Sequence, residues 1–222
     1  MVDFQERDTS RTKRSADETD DEEGETNATQ ASGSDSTPGA TIKPDDEGGE
    51  ESHDHHHHHD IETVRAAVVT VSSTRSLDED DAGDAIQSAV EANGDELATR
   101  DLVRDDFDNI QAAIDALVGR EDVDVVITTG GTGVTPDDVT IEAVEPLFEK
   151  TLPGFGELFR RRSEADVGTR VVATRAAGGI ADGVPVFCLP GSEAAVRLGV
   201  AEIILPEAGH LAGLARRDED EE

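Results

Sequence analysis

The chain has 222 residues, 52 of them Asp or Glu and 19 Lys or Arg, for a formal net charge of −33, with one cysteine and neither tryptophan nor tyrosine. That excess of acid repels nucleic acid and anionic membrane surfaces, so neither is expected as a partner. A single cysteine, Cys188, excludes an internal disulfide framework and fits a reducing cytoplasm.

The chain opens on a segment that cannot build a core. Residues 1–60 hold 18 acids, 5 bases and 8 apolar residues, too few to offset the entropy of ordering. They read as a disordered acidic tail, residues 61–217 as one folded domain, and 218–222 (DEDEE) as a short acidic end. Near the junction stands HDHHHHHD, 53–60. Clustered imidazoles hold Ni²⁺ or Zn²⁺, and in such a segment the composition favours a weakly metal-binding linker over a dedicated metal site or an appended tag. No apolar region follows the N-terminus and no apolar stretch approaches 18 residues, so a cytoplasmic protein without a membrane span is expected.

The folded part begins with VRAAVVTV (64–71), a continuous apolar run suited to a strand buried on both faces. Over 79–92, Ala82, Ala85, Ile86, Ala89 and Val90 recur at helical spacing, and Asn93-Gly94 stops the helix. Residues 95–103 return as a second strand. Asp105-Asp106 opens a second helix with Phe107, Ile110, Ile114, Leu117 and Val118 on one face and Gly119 as its stop. VDVVITT (123–129) is the third strand. Strand, helix, strand, helix, strand with short links predicts a parallel sheet covered by helices, with ligands at the carboxyl ends of the strands.

Beyond it, Thr135-Pro136 offers one helix start and Thr140 a second, with Pro146 limiting any long helix. PGFGELFRRRS (153–163) reads as a glycine-broken loop entering an arginine-faced helix. VPVFCL (184–189) is the last core strand, holding Cys188 as a small buried hydrophobe and not a nucleophile. Pro190-Gly191-Ser192 then leads into a helix through Ala194, Val196 and Leu198.

The third strand runs into Gly130, Gly131, Thr132 and Gly133. Glycines here let successive N–H groups face one concavity, an anion site before a helix start. The pattern is neither a Walker loop nor GxGxxG, and a tight strand-to-helix turn explains it as well. Asp137 and Asp138 add information, because a carboxylate beside phosphate is repelled unless a cation lies between them. Mg²⁺ bridges one or two carboxylates to substrate phosphates, and Asp105, after the second strand, stands at the same sheet edge. Mg-dependent phosphoryl or nucleotidyl chemistry is one reading; helix caps and first-turn acids are the other.

Ordered landmarks carry a resemblance: TVSSTR (70–75), LVRDD (102–106), TTGGTGVTPDDVT (128–140), LPGFGELFR with Ser163 (152–163), TRAAGG (174–179), LPGS (189–192) and EAGHL (207–211). Together they resemble the MoaB/MogA molybdopterin adenylyltransferases of molybdenum-cofactor biosynthesis, related to the G domain of gephyrin. The resemblance implies a three-layer α/β/α fold with a mostly parallel sheet, assembled as trimers or hexamers. It implies transfer of AMP from Mg-ATP to the terminal phosphate of molybdopterin with release of pyrophosphate, and hand-over to an enzyme that inserts molybdate or tungstate. By position it implies Asp105 and Asp138 as catalytic, Mg²⁺-holding residues, and Gly130, Gly131, Thr132 and Gly133 around the nucleotide phosphates. Ser72, Ser163, Gly191 and Ser192 match molybdopterin-side positions. Two departures, Ser73 where many relatives have Asp and Thr-Pro-Asp where the MogA branch has a basic pair before the key aspartate, favour the MoaB branch. An inactive molybdopterin carrier is therefore the alternative to an active enzyme.

Two surface features remain. With three lysines against sixteen arginines and a charge near −20 over residues 61–222, the surface is similar to those of proteins from salt-loving archaea, where salt screens self-repulsion. Arg160, Arg161, Arg162 and Arg175 either gather an anionic substrate or pair with acids.

Overall fold

The structure is a computed structural model and describes residues 60–74, 76 and 79–216. The expected acidic tail, apart from Asp60, and the C-terminal acids lie outside the described residues. Six strands, β1 (Arg65–Val71), β2 (Glu96–Val103), β3 (Val125–Thr129), β4 (Lys150–Thr151), β5 (Ala177–Ala181) and β6 (Val184–Leu189), form one sheet in the order β2-β1-β3-β6-β5-β4. The first three and β6 run parallel, while β5 is antiparallel to both β6 and β4.

The side-chain period of two along each strand divides the core into two layers. Ala66, Val68, Val125, Ile127, Phe187 and Leu189 face one side, and Ala67, Val69, Val71, Val126, Val186 and Cys188 the other. Helices α1 (Asp81–Asn93), α4 (Pro153–Val167), α5 (Glu193–Gly199) and α6 (Leu205–Ala215) cover the first face; α2 (Phe107–Val118) and α3 (Thr140–Val144) cover the second. The three-layer α/β/α arrangement expected from the chain order is present. α1 begins where the buried Asp80 carboxylate accepts the Gly83 N–H at 3.0 Å, and ends at Gly94 with φ 87°. Asp106 caps α2 in the same way through Asn109 N–H.

Five expectations change. β4 has only two residues and β5 reads AGGIA, so neither carries a strand signal. Gly179 belongs in the sheet because a Cβ there would lie 2.3 Å from the Phe148 ring. Phe107 is 40 % exposed, since it occupies the first turn of α2 at the loop edge, where the sheet ends. Thr135-Pro136 does not start a helix: Asp138 N–H reaches Thr135 O at 3.0 Å and closes a turn with Pro136 and Asp137 at its centre, so Asp137 is a turn residue and not a helix-start acid. The helix starts at Thr140. PGFGELF is helical from Pro153 onward, proline being suited to a first turn whose N–H groups have no intrahelical partner.

Last, residues 193–215 form one continuous helical stretch of mean hydropathy 1.3, long and apolar enough to cross a membrane by length and composition. Valine, isoleucine, leucine and alanine raise that average, although Arg197, Glu202, Glu207 and His210 interrupt the apolar run. Val196, Val200, Ile204, Ala208 and Ala212 along it are fully buried against the sheet, the packing of a core helix.

Candidate functional site

β1 has β2 on one flank and β3 on the other, so the chain turns back across it. The loops leaving the carboxyl ends of β1, β2, β3 and β6 meet at this reversal, where open α/β sheets take ligands. Backbone contacts are close. Gly130 N–H donates to Leu189 O at 3.0 Å, and a Cβ on Gly130, at φ 101°, would stand 2.3 Å from Val71 O. Gly191 lies against the same residue, its virtual Cβ 3.3 Å from Gly130 Cα. Only glycine permits this approach of three strand ends.

Gly131, at φ 62°, lies between Thr140 and Asp105: a Cβ would come within 2.2 Å of Thr140 Oγ1 and 2.9 Å of Asp105 Oδ1. Thr140 in turn ties α3 to the turn, its N–H donating to Gly131 O at 3.0 Å and its hydroxyl to Gly130 O at 2.9 Å. Thr132 is buried.

The two aspartates differ in state. Asp105 Oδ1 is buried with no hydrogen-bond partner. Burial, joined by the charges of Asp138 and Asp137 and opposed by the Val139 N–H, raises its carboxyl above the usual range. Its own N–H is held by Ser73 Oγ at 3.3 Å. For Asp138, burial again pushes upward, but the hydroxyl and N–H of Thr135 and the N–H of Gly133 outweigh it, and the carboxyl is held below the usual range. Thr135 N–H and O–H reach Asp138 Oδ2 at 2.8 and 2.6 Å.

Such an arrangement, two acids facing a glycine cradle, one of them with an orphaned oxygen, suits a divalent cation that arrives with a substrate phosphate. Among the described residues no group of three or more His, Cys, Asp or Glu is placed to hold a metal on its own. Mg²⁺, which keeps waters and shares its ligands with phosphates, needs no such group.

Of the residues expected to seat molybdopterin, Ser163 and Ser192 line one pocket of about 130 Å³ with Phe159, Asp166 and Pro190. Ser192 Oγ also caps α5 through Ala195 N–H at 3.3 Å. Ser72, at the end of β1, donates its N–H to Val103 O at 2.9 Å and accepts from Thr74 N–H at 3.3 Å. All ten residues singled out in the sequence therefore fall at one edge or in the adjoining pocket. A larger cavity of about 560 Å³ lies between α3 and α4, with Phe148, Arg160 and Arg175 in its wall. It touches the cradle only through Arg175, so size alone does not mark the site.

The arginines divide. Arg162 pairs with Glu202 at 3.0 Å, and Arg160 donates to Ala176 O at 3.4 Å. Arg175 is an internal brace: Nε donates to Gly133 O at 2.7 Å, Nη2 to Asp138 O at 3.0 Å, and Nη1 pairs with Glu142. It joins the cradle to the aspartate turn, a role that sequence spacing could not reveal because 42 residues separate Arg175 from Gly133. Cys188 is fully buried and its thiol is pushed up to about 12 by burial, as suits a packing residue.

The chain as a whole is similar to known proteins. The family described as "Probable molybdopterin binding domain" matches residues 67–210. A protein of Bacillus cereus called Molybdenum cofactor biosynthesis protein B is 45% identical over 149 residues, covering 67% of this chain and 88% of its own. One of the same name from Halalkalibacterium halodurans is 40% identical over 151 residues, covering 68% and 89%. Among solved structures, a molybdenum cofactor biosynthesis protein B superposes with a TM-score of 0.68 at 43% identity, covering 70% of this chain and 98% of that one. The tungsten cofactor synthesizing protein MoaB from Pyrococcus furiosus does so with 0.64 at 40%, covering 71% and 99%.

Proposed function

The chain belongs to the molybdopterin-binding family that includes the MoaB proteins, and on that premise we propose that it works in molybdenum- or tungsten-cofactor biosynthesis by adenylylating molybdopterin at the expense of Mg-ATP. The observation that carries the reading is the convergence of Asp105, with its orphaned buried oxygen, and Asp138 on the Gly130–Gly133 turn.

In the proposed reaction an oxygen of the molybdopterin terminal phosphate attacks the α-phosphorus of ATP. The bond from that phosphorus to the bridging oxygen breaks, and pyrophosphate leaves. The nucleophile is already an anion, so no general base is required, and catalysis reduces to positioning and charge neutralisation. Gly131 and Thr132 direct N–H groups at the phosphates, while Gly130 and Gly133, whose N–H groups go to Leu189 O and the Asp138 carboxylate, shape the turn around them. Asp138, held below the usual range by the donors of its turn, and Asp105, costly to ionise until a cation is near, would hold the magnesium of the incoming nucleotide, which would supply charge neutralisation for the phosphates. Ser72, Ser163, Gly191 and Ser192 seat molybdopterin. We assign the reaction to the cytoplasm, to a homotrimer or homohexamer, with release of adenylyl-molybdopterin to an enzyme that inserts the oxyanion.

One observation favours a second reading, an inactive carrier: both Thr135 donors already occupy Asp138 Oδ2, the bonding of a turn cap. Incubation of purified molybdopterin with α-labelled Mg-ATP in molar KCl separates the two. Label on molybdopterin with stoichiometric pyrophosphate supports the enzyme; tight molybdopterin binding without pyrophosphate selects the carrier.

A further inference from the structure

Residues 134–137, between the glycine cradle and Asp138, are exposed, and much of what holds them is local. Asp138 N–H reaches Thr135 O at 3.0 Å, Thr135 donates twice to Asp138 Oδ2, and the Gly133 N–H goes to the same carboxylate. Bonds of this kind fix the shape of a turn but not its place on the sheet. Val134, 70 % exposed, packs too little to anchor it.

Both ends of the turn are held from outside by one side chain. Arg175 Nε donates to Gly133 O at 2.7 Å and Nη2 to Asp138 O at 3.0 Å. These donors form one edge of the planar guanidinium, so the two carbonyls are kept at the spacing that edge dictates. The third nitrogen, Nη1, pairs with Glu142 on α3, but Glu142 is about half exposed and an exposed pair contributes little by itself. The mount is firm, because Ala176, next in the chain, is buried and Ala177 opens β5.

On the adenylyl-transfer reading of the site, we infer that Arg175 is a positioning residue: through the two backbone oxygens it sets the separation of the phosphate cradle from the Asp138 carboxylate. A reaction that depends on placement is sensitive to such a link, since a displacement of about 1 Å costs about 10²-fold in rate. Lysine at this position keeps the charge, but an ammonium is a point charge with no edge to hold two acceptors at a fixed spacing. Methionine keeps much of the stem and loses every donor.

The test compares full-length R175K, R175M and E142Q with the wild type in two measurements. Amide hydrogen exchange on the free protein needs no substrate; residues 131–138 should exchange faster in R175K and R175M, with β1 and β3 unchanged. In steady-state adenylyl transfer both variants should lose about 10²-fold in kcat, while the KM for Mg-ATP and the dissociation constant of molybdopterin stay within about threefold. A merely structural role would instead lower the melting midpoint and leave the kcat of the folded enzyme unchanged. E142Q keeps both carbonyl bonds and should lose less than about tenfold. Wild-type exchange over 131–138 in R175K, or its kcat within a few-fold of an active wild type, would overturn the inference. So would E142Q falling as far as R175M, which would move the effect to the ion pair. If the wild type itself transfers no AMP, it is the reaction that fails, and the exchange comparison still decides the clamp. If R175M does not fold, R175K carries both measurements.

Discussion

Replacing Asp138 by Asn separates chemistry from turn capping. In the native turn Asp138 Oδ2 accepts from Thr135 N–H at 2.8 Å and Thr135 O–H at 2.6 Å. A charge-assisted bond is worth about 1.5–3 kcal/mol against about 0.5–1.5 kcal/mol for a neutral one. The amide keeps one acceptor oxygen that can face Thr135, so the loss is about 1 kcal/mol per bond, reduced by solvent at this exposed turn to about 1–2 kcal/mol in all. For a domain of this size that lowers the melting midpoint by about 2–8 °C. Turnover should fall far more, by about 10²-fold or beyond, if the carboxylate acts on the transferring phosphoryl group and its cation. Thr135→Ala is the matched control. It removes the shorter hydrogen bond and leaves the charge, so it should cost a similar stability while keeping turnover within a few-fold. The assay is adenylyl transfer at saturating and limiting Mg-ATP, with molybdopterin binding measured in parallel. Turnover of D138N close to wild type, or T135A falling as far as D138N, would refute the reasoning and leave Asp138 as a turn cap.

Asp105 has the opposite sign. Its folded carboxyl lies above the ordinary range, so its contribution to stability is present below the unfolded value of about 3.9 and is lost as pH rises through the folded value. D105N should therefore melt slightly higher than wild type near neutral pH while losing adenylyl transfer, which differential scanning calorimetry and the same assay check together. Asp80 and Asp124 run the other way, both depressed against burial, Asp80 mainly by Thr70 and Gly83 and Asp124 mainly by Arg65. Stability should fall as pH drops below about 4, as these groups protonate, and an acid titration followed by circular dichroism reads it. Gly131→Ala places a Cβ 2.2 Å from Thr140 Oγ1 in a left-handed conformation, which should cost about 2–4 kcal/mol and show as a lower denaturation midpoint. Because residues 61–222 carry 34 acids against 14 bases, the melting midpoint should rise between low and molar KCl, and equal or greater stability at low salt would contradict adaptation to salt.

Strands β1, β2, β3 and β6, helices α1 and α2 and the caps at Gly94 and Gly119 were legible because each rests on local information: a β-branched run, a 3.6-residue period, a glycine stop. The cradle was legible as a cluster of glycines at a strand end. The site was less so. Asp137 and Pro136 resemble a helix start in sequence, and only the Thr135–Asp138 bonds make them a turn. β4 and β5 escaped notice because their place depends on Phe148, Phe155 and Phe187 filling space beside glycines, which no periodicity records.

By itself, then, the order of apolar runs and glycine stops determined a parallel sheet under helices and put Asp105, Gly130 and Gly191 at its carboxyl edge, because burial patterns and turn chemistry act over a few residues. Tertiary structure alone decided what state each group holds there. Asp105 is pushed up and Asp138 down by neighbours that only folding supplies. Arg175 crosses 42 residues to brace the turn, and His210 meets Asp60 across 150. Contacts at such separations follow from the packing of whole layers, and no local spacing encodes them.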